Sequence, residues 1–296
     1  MSASSVAPAT APLGTPDGVI GVLPGTVGQA VILSRYQLRD YLRSNRFVLM
    51  IAIVLAAGAI LTTVVAYFRP AALLDSSNDF YGGLWAGGAA FVVLFAGIIF
   101  GGDAIAGEFQ NKTGYFLMGL PVKRATVYVG KYLAALAASI VSLLVFLLII
   151  LGNAVYYLGA GAFSDPGPLF ASFALTLLYL LALLGFVFLF SSLFKTSLYA
   201  VLVVAVLFLF GFSIIQEVIV MLVHSEPWFL LSYVNAIIAY PLTGVPAHIM
   251  TVTNPFSHTT SKSFNPTYFT GIGVMLLYFV LTTLGGLFLF EREEFT

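Results

Sequence analysis

The 296-residue sequence predicts an all-α membrane protein: six transmembrane helices, an N-terminal interfacial helix before them, and a short cytoplasmic amphipathic element between spans two and three. Three observations predict it. Hydrophobic residues make up 60% of the chain and charged residues 8%, and the mean hydropathy is +1.03. A soluble domain carries charge on about a quarter of its residues. Six apolar runs each reach the roughly 20 residues that a helix needs to cross about 30 Å of hydrocarbon. The basic residues, finally, fall almost entirely on alternate connections of those runs.

Residues 1–30 are rich in Ser, Ala, Pro, Thr and Gly and contain no Lys or Arg. A secretory leader needs a basic start and an unbroken apolar core, so this stretch reads as a flexible tail. The remainder, 31–296, is one six-span domain, because the spans and their connections consume its length. Arg35, Arg39, Arg43 and Arg46 fall within about 80° of arc on one helix. Leu38 and Leu42 lie beside that stripe, so it reads as a helix on the inner membrane surface with its guanidinium groups on lipid phosphates. Simple retention of the first span by inside positive charge explains the same residues equally well.

The spans run 47–68, 84–106, 126–158, 168–190, 198–223 and 268–290. Arg69-Pro70 opens the first outer loop, and Asp165-Pro166-Gly167-Pro168 marks a turn in the second. Ser191–Ser197 is a brief inner connection, so spans four and five are antiparallel neighbours. The last outer segment, 224–267, holds Pro227, Pro241, Pro246, Pro255 and Pro266 around an apolar stretch, and reads as short helices or re-entrant pieces. Tyr67, Phe68, Tyr81, Trp85, Tyr156, Tyr157, Trp228, Phe229, Tyr268 and Phe269 read as an interfacial aromatic belt on that side.

A cytoplasmic N-terminus places Arg35, Arg39, Arg43, Arg46, Lys112, Lys123, Arg124, Lys131, Lys195 and Arg292 inside, and only Arg69 and Lys262 outside. That asymmetry fixes the expected orientation, and an even span count returns the C-terminus to the cytoplasm of a multi-pass cell-membrane protein.

Several chemistries are missing from the sequence. The chain has no cysteine, so disulfides, thiolate metal sites and cysteine nucleophiles are excluded. Its net charge of zero gives it no bulk attraction to nucleic acid. No Gly-x-x-x-x-Gly-Lys-Ser/Thr loop is present to cradle phosphates, and neither His-Glu-x-x-His nor Gly-x-Ser-x-Gly occurs. No catalytic residue and no metal ligand is assigned.

The informative segment is 101–131. Glu108 and Lys112 are an i,i+4 pair in the favourable order. Tyr115, Phe116, Leu117 and Met118 supply an apolar patch, and Pro121 stops the helix that precedes it. Lys123 and Arg124 then sit at the headgroups before span three. The result is an amphipathic element that can serve as a docking knob for a soluble partner.

This run resembles the first cytoplasmic loop of type-2 ATP-binding-cassette (ABC) exporter permeases. Glu108, Thr113, Leu117, Pro121, Arg124, Gly130 and Lys131 fall in register with that family's pattern, while Lys112 stands where it has glycine and Gly114 follows instead. Ser191–Ser197 and the charged end Glu291–Phe295 resemble the family's later inner loop and tail. The resemblance implies a permease that dimerises with itself or a similar chain and binds two copies of a separate ATPase subunit. ATP and Mg would sit on that subunit, with no cofactor on this chain. It further implies that the 108–124 element is a coupling helix, in which Glu108, Lys112, Thr113, Leu117, Pro121, Lys123 and Arg124 receive the ATPase stroke.

Asp103 lies near the inner end of span two, and Glu217 near the outer end of span five. A carboxylate in hydrocarbon must face a cavity, a partner or the interface. The interface accounts for Asp103; Glu217 and Asn153 are the candidates for a translocation path, with an interhelical hydrogen bond the plainer role for Asn153. A second reading is a passive channel or metal-handling assembly factor built on His224, His248 and His258 with Glu226, though their spacing matches no local ligand pattern. A membrane-embedded enzyme would need a polar catalytic cluster at one depth, and the spans contain none.

Overall fold

The computed structural model describes residues 25–111, 122–253 and 260–292. Helix α1, Thr26–Arg43, is followed by six helices long and apolar enough to cross a membrane: Asn45–Phe68, Ser77–Gln110, Arg124–Phe163, Gly167–Leu193, Ser197–Val223 and Tyr268–Arg292. These are the six expected spans, several extended by a turn or more. Span two begins at Ser77 because Ser76 caps its first turn, its hydroxyl accepting from Asp79 N at 3.1 Å. Helix α1 starts at Thr26, within the stretch 1–30 expected as a tail; residues 1–24 lie outside the described residues.

Ser44 separates α1 from span one. Its backbone is extended, its hydroxyl donates to Tyr41 O at 2.7 Å, and the same oxygen accepts from Phe47 N at 3.4 Å. That short polar side chain closes one helix and caps the next. Arg35, Arg39 and Arg43 lie exposed on α1, and Arg46, also exposed, belongs to the first turn of span one.

Spans two and four are the most buried, and spans one, five and six the least. Span two thus occupies the middle of the bundle, with spans three and four on it. Spans four and six share the most extensive helix contact. Glycine makes this approach feasible: a Cβ on Gly286 would stand 2.4 Å from the Tyr128 hydroxyl and 3.2 Å from Leu189 Cα. With no hydrophobic drive between helices in lipid, such close packing and interhelical hydrogen bonds hold the spans together.

We call the end carrying α1 proximal and the opposite end distal. At the distal end, Trp85 Nε1 donates to Ser172 Oγ at 3.1 Å, and Ser172 donates on to Ile238 O at 2.6 Å. Trp85 and Tyr81 are fully buried, so neither belongs to the aromatic belt expected from sequence; Tyr67, Phe68, Tyr156, Trp228 and Phe269 are exposed. The long 224–267 segment contains the expected short helices, Leu231–Val234, Asn235–Ile238 and Tyr240–Thr243, whose buried Leu231, Val234 and Ile237 plug the bundle. It also contains an unexpected antiparallel hairpin, β1 Ile249–Thr253 with β2 Thr260–Phe264, paired Ile249 to Phe264 through Thr253 to Thr260.

Candidate functional site at the proximal end of span two

Span two passes through a π-helical turn at Gly82–Ala86, is α-helical from Gly87 to Gly101, then turns through residues 102–105 before resuming as Ala106–Gln110. A break of this kind strands backbone groups, and in lipid or a packed core each must find another partner. In a continuous α-helix Ala104 N would bond to Phe100 O, Ala106 N to Gly102 O and Glu108 N to Ala104 O. Instead Ala104 N bonds to Gly101 O at 3.1 Å and Glu108 N to Ile105 O at 3.0 Å.

Three side chains from three other elements meet the deficit. The Tyr41 hydroxyl of α1 donates to Phe100 O at 3.1 Å. Burial pushes the ionisation of this phenol up, so it remains a donor. Lys131 of span three donates to Ala104 O at 2.8 Å and forms an ion pair with the Glu108 carboxylate. Ser191 of span four accepts from Ile105 N at 3.0 Å and from Ala106 N at 3.1 Å, and donates to Gly102 O at 2.9 Å. It thereby satisfies Gly102 O, the acceptor that Ala106 N has given up.

Charge follows the same plan. Arg46 pairs with Asp103 just beside the break. Asp103 is therefore engaged within the protein, which revises the expectation that it merely sits at the interface. These groups, with Gln37, Asp40, Ser44 and Asn111, line a polar cavity of about 380 Å³ between α1 and the end of span two. Gln110 Oε1 accepts from Ser197 N at 2.9 Å, and Arg124 Nη1 donates to Glu291 O at 2.9 Å. Spans three, four, five and six all reach the segment or its neighbour.

Of the residues expected from sequence to form the coupling element, Glu108, Lys123 and Arg124 are described and share this end. Lys112, Thr113, Leu117 and Pro121 lie outside the described residues. Gly130 and Lys131 acquire a physical reason. A Cβ at Gly130 would come within 2.8 Å of Leu33 Cδ2 and 3.2 Å of Ala30 O on α1, so glycine lets α1 lie against span three. Lys131, 5% exposed, is a buried cation held by its two partners. Sequence reasoning missed Ser191, Tyr41 and the Arg46–Asp103 pair; the one signal available was the Gly101-Gly102 doublet near the end of an apolar run.

The other candidates stand apart from this site. Asn153 Nδ2 donates to Thr62 Oγ1 of span one and to Ile149 O, both at 2.9 Å, an interhelical bond. Glu217 is exposed on span five beside exposed Ile214, Val218 and Met221, and makes no ion pair among the described residues. His224 takes a left-handed backbone at the end of span five. His248 contacts Asn265 O at 2.8 Å and the Glu226 carboxylate at 3.5 Å, and Glu226 also accepts from the Tyr233 hydroxyl at 3.0 Å. His258 lies outside the described residues, and among those described no group of three His, Asp or Glu side chains is placed to hold a metal.

Residues 31–295 match the family model described as ABC-2 family transporter protein. No curated protein matches the chain.

Proposed function

The chain belongs to the ABC-2 family of transporter proteins, and on that premise we propose that it is the permease subunit of an ATP-driven exporter. As a multi-pass membrane component of an ABC transporter it pairs with an ABC ATPase subunit. In our reading two ATPase copies, carrying ATP and Mg, serve a dimer of permeases. The chain itself performs no covalent chemistry. Both termini face the cytoplasm of a cell-membrane protein, and the exposed face of span five bearing Glu217 contributes to the dimer contact and the translocation path.

One observation carries the coupling role. Glu108, at the entrance to the 112–121 segment, is tied by its ion pair to Lys131 at the base of span three. A push on that segment therefore reaches spans two and three together. Glu108 and Arg124 receive the stroke, with Lys112, Thr113, Leu117, Pro121 and Lys123 forming the contact with the ATPase.

Gentle detergent purification of the tagged chain from its native cells, followed by mass spectrometry, tests this. The expected result is an ATPase bearing a Walker A loop at close to one copy per permease. Recovery of the chain alone after mild crosslinking would count decisively against the exporter. In the recovered complex, a Glu108→Ala, Arg124→Ala double variant should retain assembly and lose the conformational response of the spans to ATP.

A further inference from the structure

We propose that Ser191 is a positioning residue that carries movement of the proximal end of span two into the paired spans four and six. The inference rests on the exporter reading above and goes beyond it by naming the transmitting contact.

A serine hydroxyl has one proton to donate and two lone pairs to accept with. Ser191 uses all three on the break in span two, and its side chain is fully buried. The ladder of span two is thinned through residues 102–105: Ala104 N bonds to Gly101 O, Gly107 N to Asp103 O and Glu108 N to Ile105 O, while Ile105 N and Ala106 N turn to Ser191. A load applied to the short helix Ala106–Gln110 therefore reaches span four directly through this hydroxyl, beside the path along span two's own backbone. Just before the break the two spans are also in contact, since a Cβ at Gly101 would lie 3.0 Å from Val187 Cγ1 and 3.4 Å from Phe188.

The segment has other ties, but they differ in stiffness. Lys131 reaches it along a flexible four-carbon stem, and Gln110 reaches Ser197 through a side-chain amide. Ser191 spans the gap with a single side-chain torsion, linking backbone to backbone. Among the hydrogen-bonded ties, span four is thus the least compliant outlet for movement of Ala106–Gln110. Span four in turn is locked to span six, because Gly185 faces Thr282 and Thr283, and Gly286 faces the Leu189 backbone.

The experiment is hydrogen–deuterium exchange on the complex purified with its ATPase, nucleotide-free and vanadate-trapped. In the wild type, peptides covering 102–111 and 186–193 should both change protection on trapping. In Ser191→Ala, 102–111 should still respond while the 186–193 response falls by at least about fivefold, the factor that the loss of a single hydrogen bond's net contribution gives, three being lost here. Ser191→Cys, which keeps the shape with a weaker acceptor, should be intermediate, and it serves where the alanine variant does not assemble. A purely structural role would raise exchange alike in both nucleotide states and leave the nucleotide-dependent difference intact. The proposal is overturned if wild-type 186–193 is silent on trapping, or if both serine variants keep the full paired response. Absence of any co-purifying ATPase would instead overturn the exporter reading, and this inference with it.

Discussion

Consider the Glu108–Lys131 pair under mutation. Glu108→Gln leaves the Lys131 ammonium, 5% exposed, with only the Ala104 carbonyl and a neutral amide. Removing one partner of a buried pair costs about 3–5 kcal/mol. The Glu108 side chain is 17% exposed, which lets water reach the pair and places the cost near the lower end, about 3 kcal/mol. Lys131→Met should cost a similar amount, because it strands the carboxylate and also orphans Ala104 O. The double variant Glu108→Gln, Lys131→Met removes both charges and leaves only the orphaned carbonyl, worth about 1–3 kcal/mol. The two effects should therefore fall short of additivity by roughly 3–5 kcal/mol. The assay is thermal unfolding of the four purified proteins in one detergent. At about 2–4 °C per kcal/mol, each single variant should lose about 6–12 °C, and the double variant no more than either single. A double variant that loses the sum of the two single effects would refute the pairing as the tie between spans two and three.

Other substitutions probe the packing of the spans. Gly286→Ala should destabilise by about 1–3 kcal/mol, because its Cβ meets the buried Tyr128 hydroxyl, and a lowered melting temperature checks it. Tyr128→Phe should raise the melting temperature, since the buried hydroxyl has no hydrogen-bond partner among the described residues and an unsatisfied group of this kind costs about 1–3 kcal/mol. Combined with Tyr128→Phe, Gly286→Ala should be partly tolerated, only the Leu189 backbone contact then remaining tight; equal damage with and without the tyrosine hydroxyl would contradict the geometry. Asn153→Leu should cost about 0.6–1.7 kcal/mol through loss of the Thr62 bond, and adding Thr62→Val should cost little more. Purified single and double variants compared by melting temperature decide that point.

How much of this was legible in the sequence differs from element to element. The six spans were legible because hydrocarbon imposes a length and an apolar composition that any window of the chain displays. The belt was legible only in part. Tyr81 and Trp85 are the same residue types as Tyr67 and Trp228, and only packing put the first two inside, where Trp85 finds Ser172. The hairpin went unseen because Ile249–Thr253 and Thr260–Phe264 are five residues each, too short for alternation to be distinguished from irregular chain. The four arginines were read on one helix by their spacing; the cap at Ser44 divides them, with Arg43 ending α1 and Arg46 in the first turn of span one.

At the proximal site the sequence by itself determined that charge gathers around 108–131 between two spans, and that Gly130-Lys131 stands where a family pattern has it. Tertiary structure alone decided why. A break in a helix strands donors and acceptors whose replacements can come from anywhere in the chain, and here they come from Tyr41, Lys131 and Ser191. Each is a residue type that also serves at an interface, as an anchor or in a loop, so local pattern carries no mark of the assignment. Lipid makes the spans readable one window at a time. The partners of a stranded backbone group are fixed only when the windows are brought together.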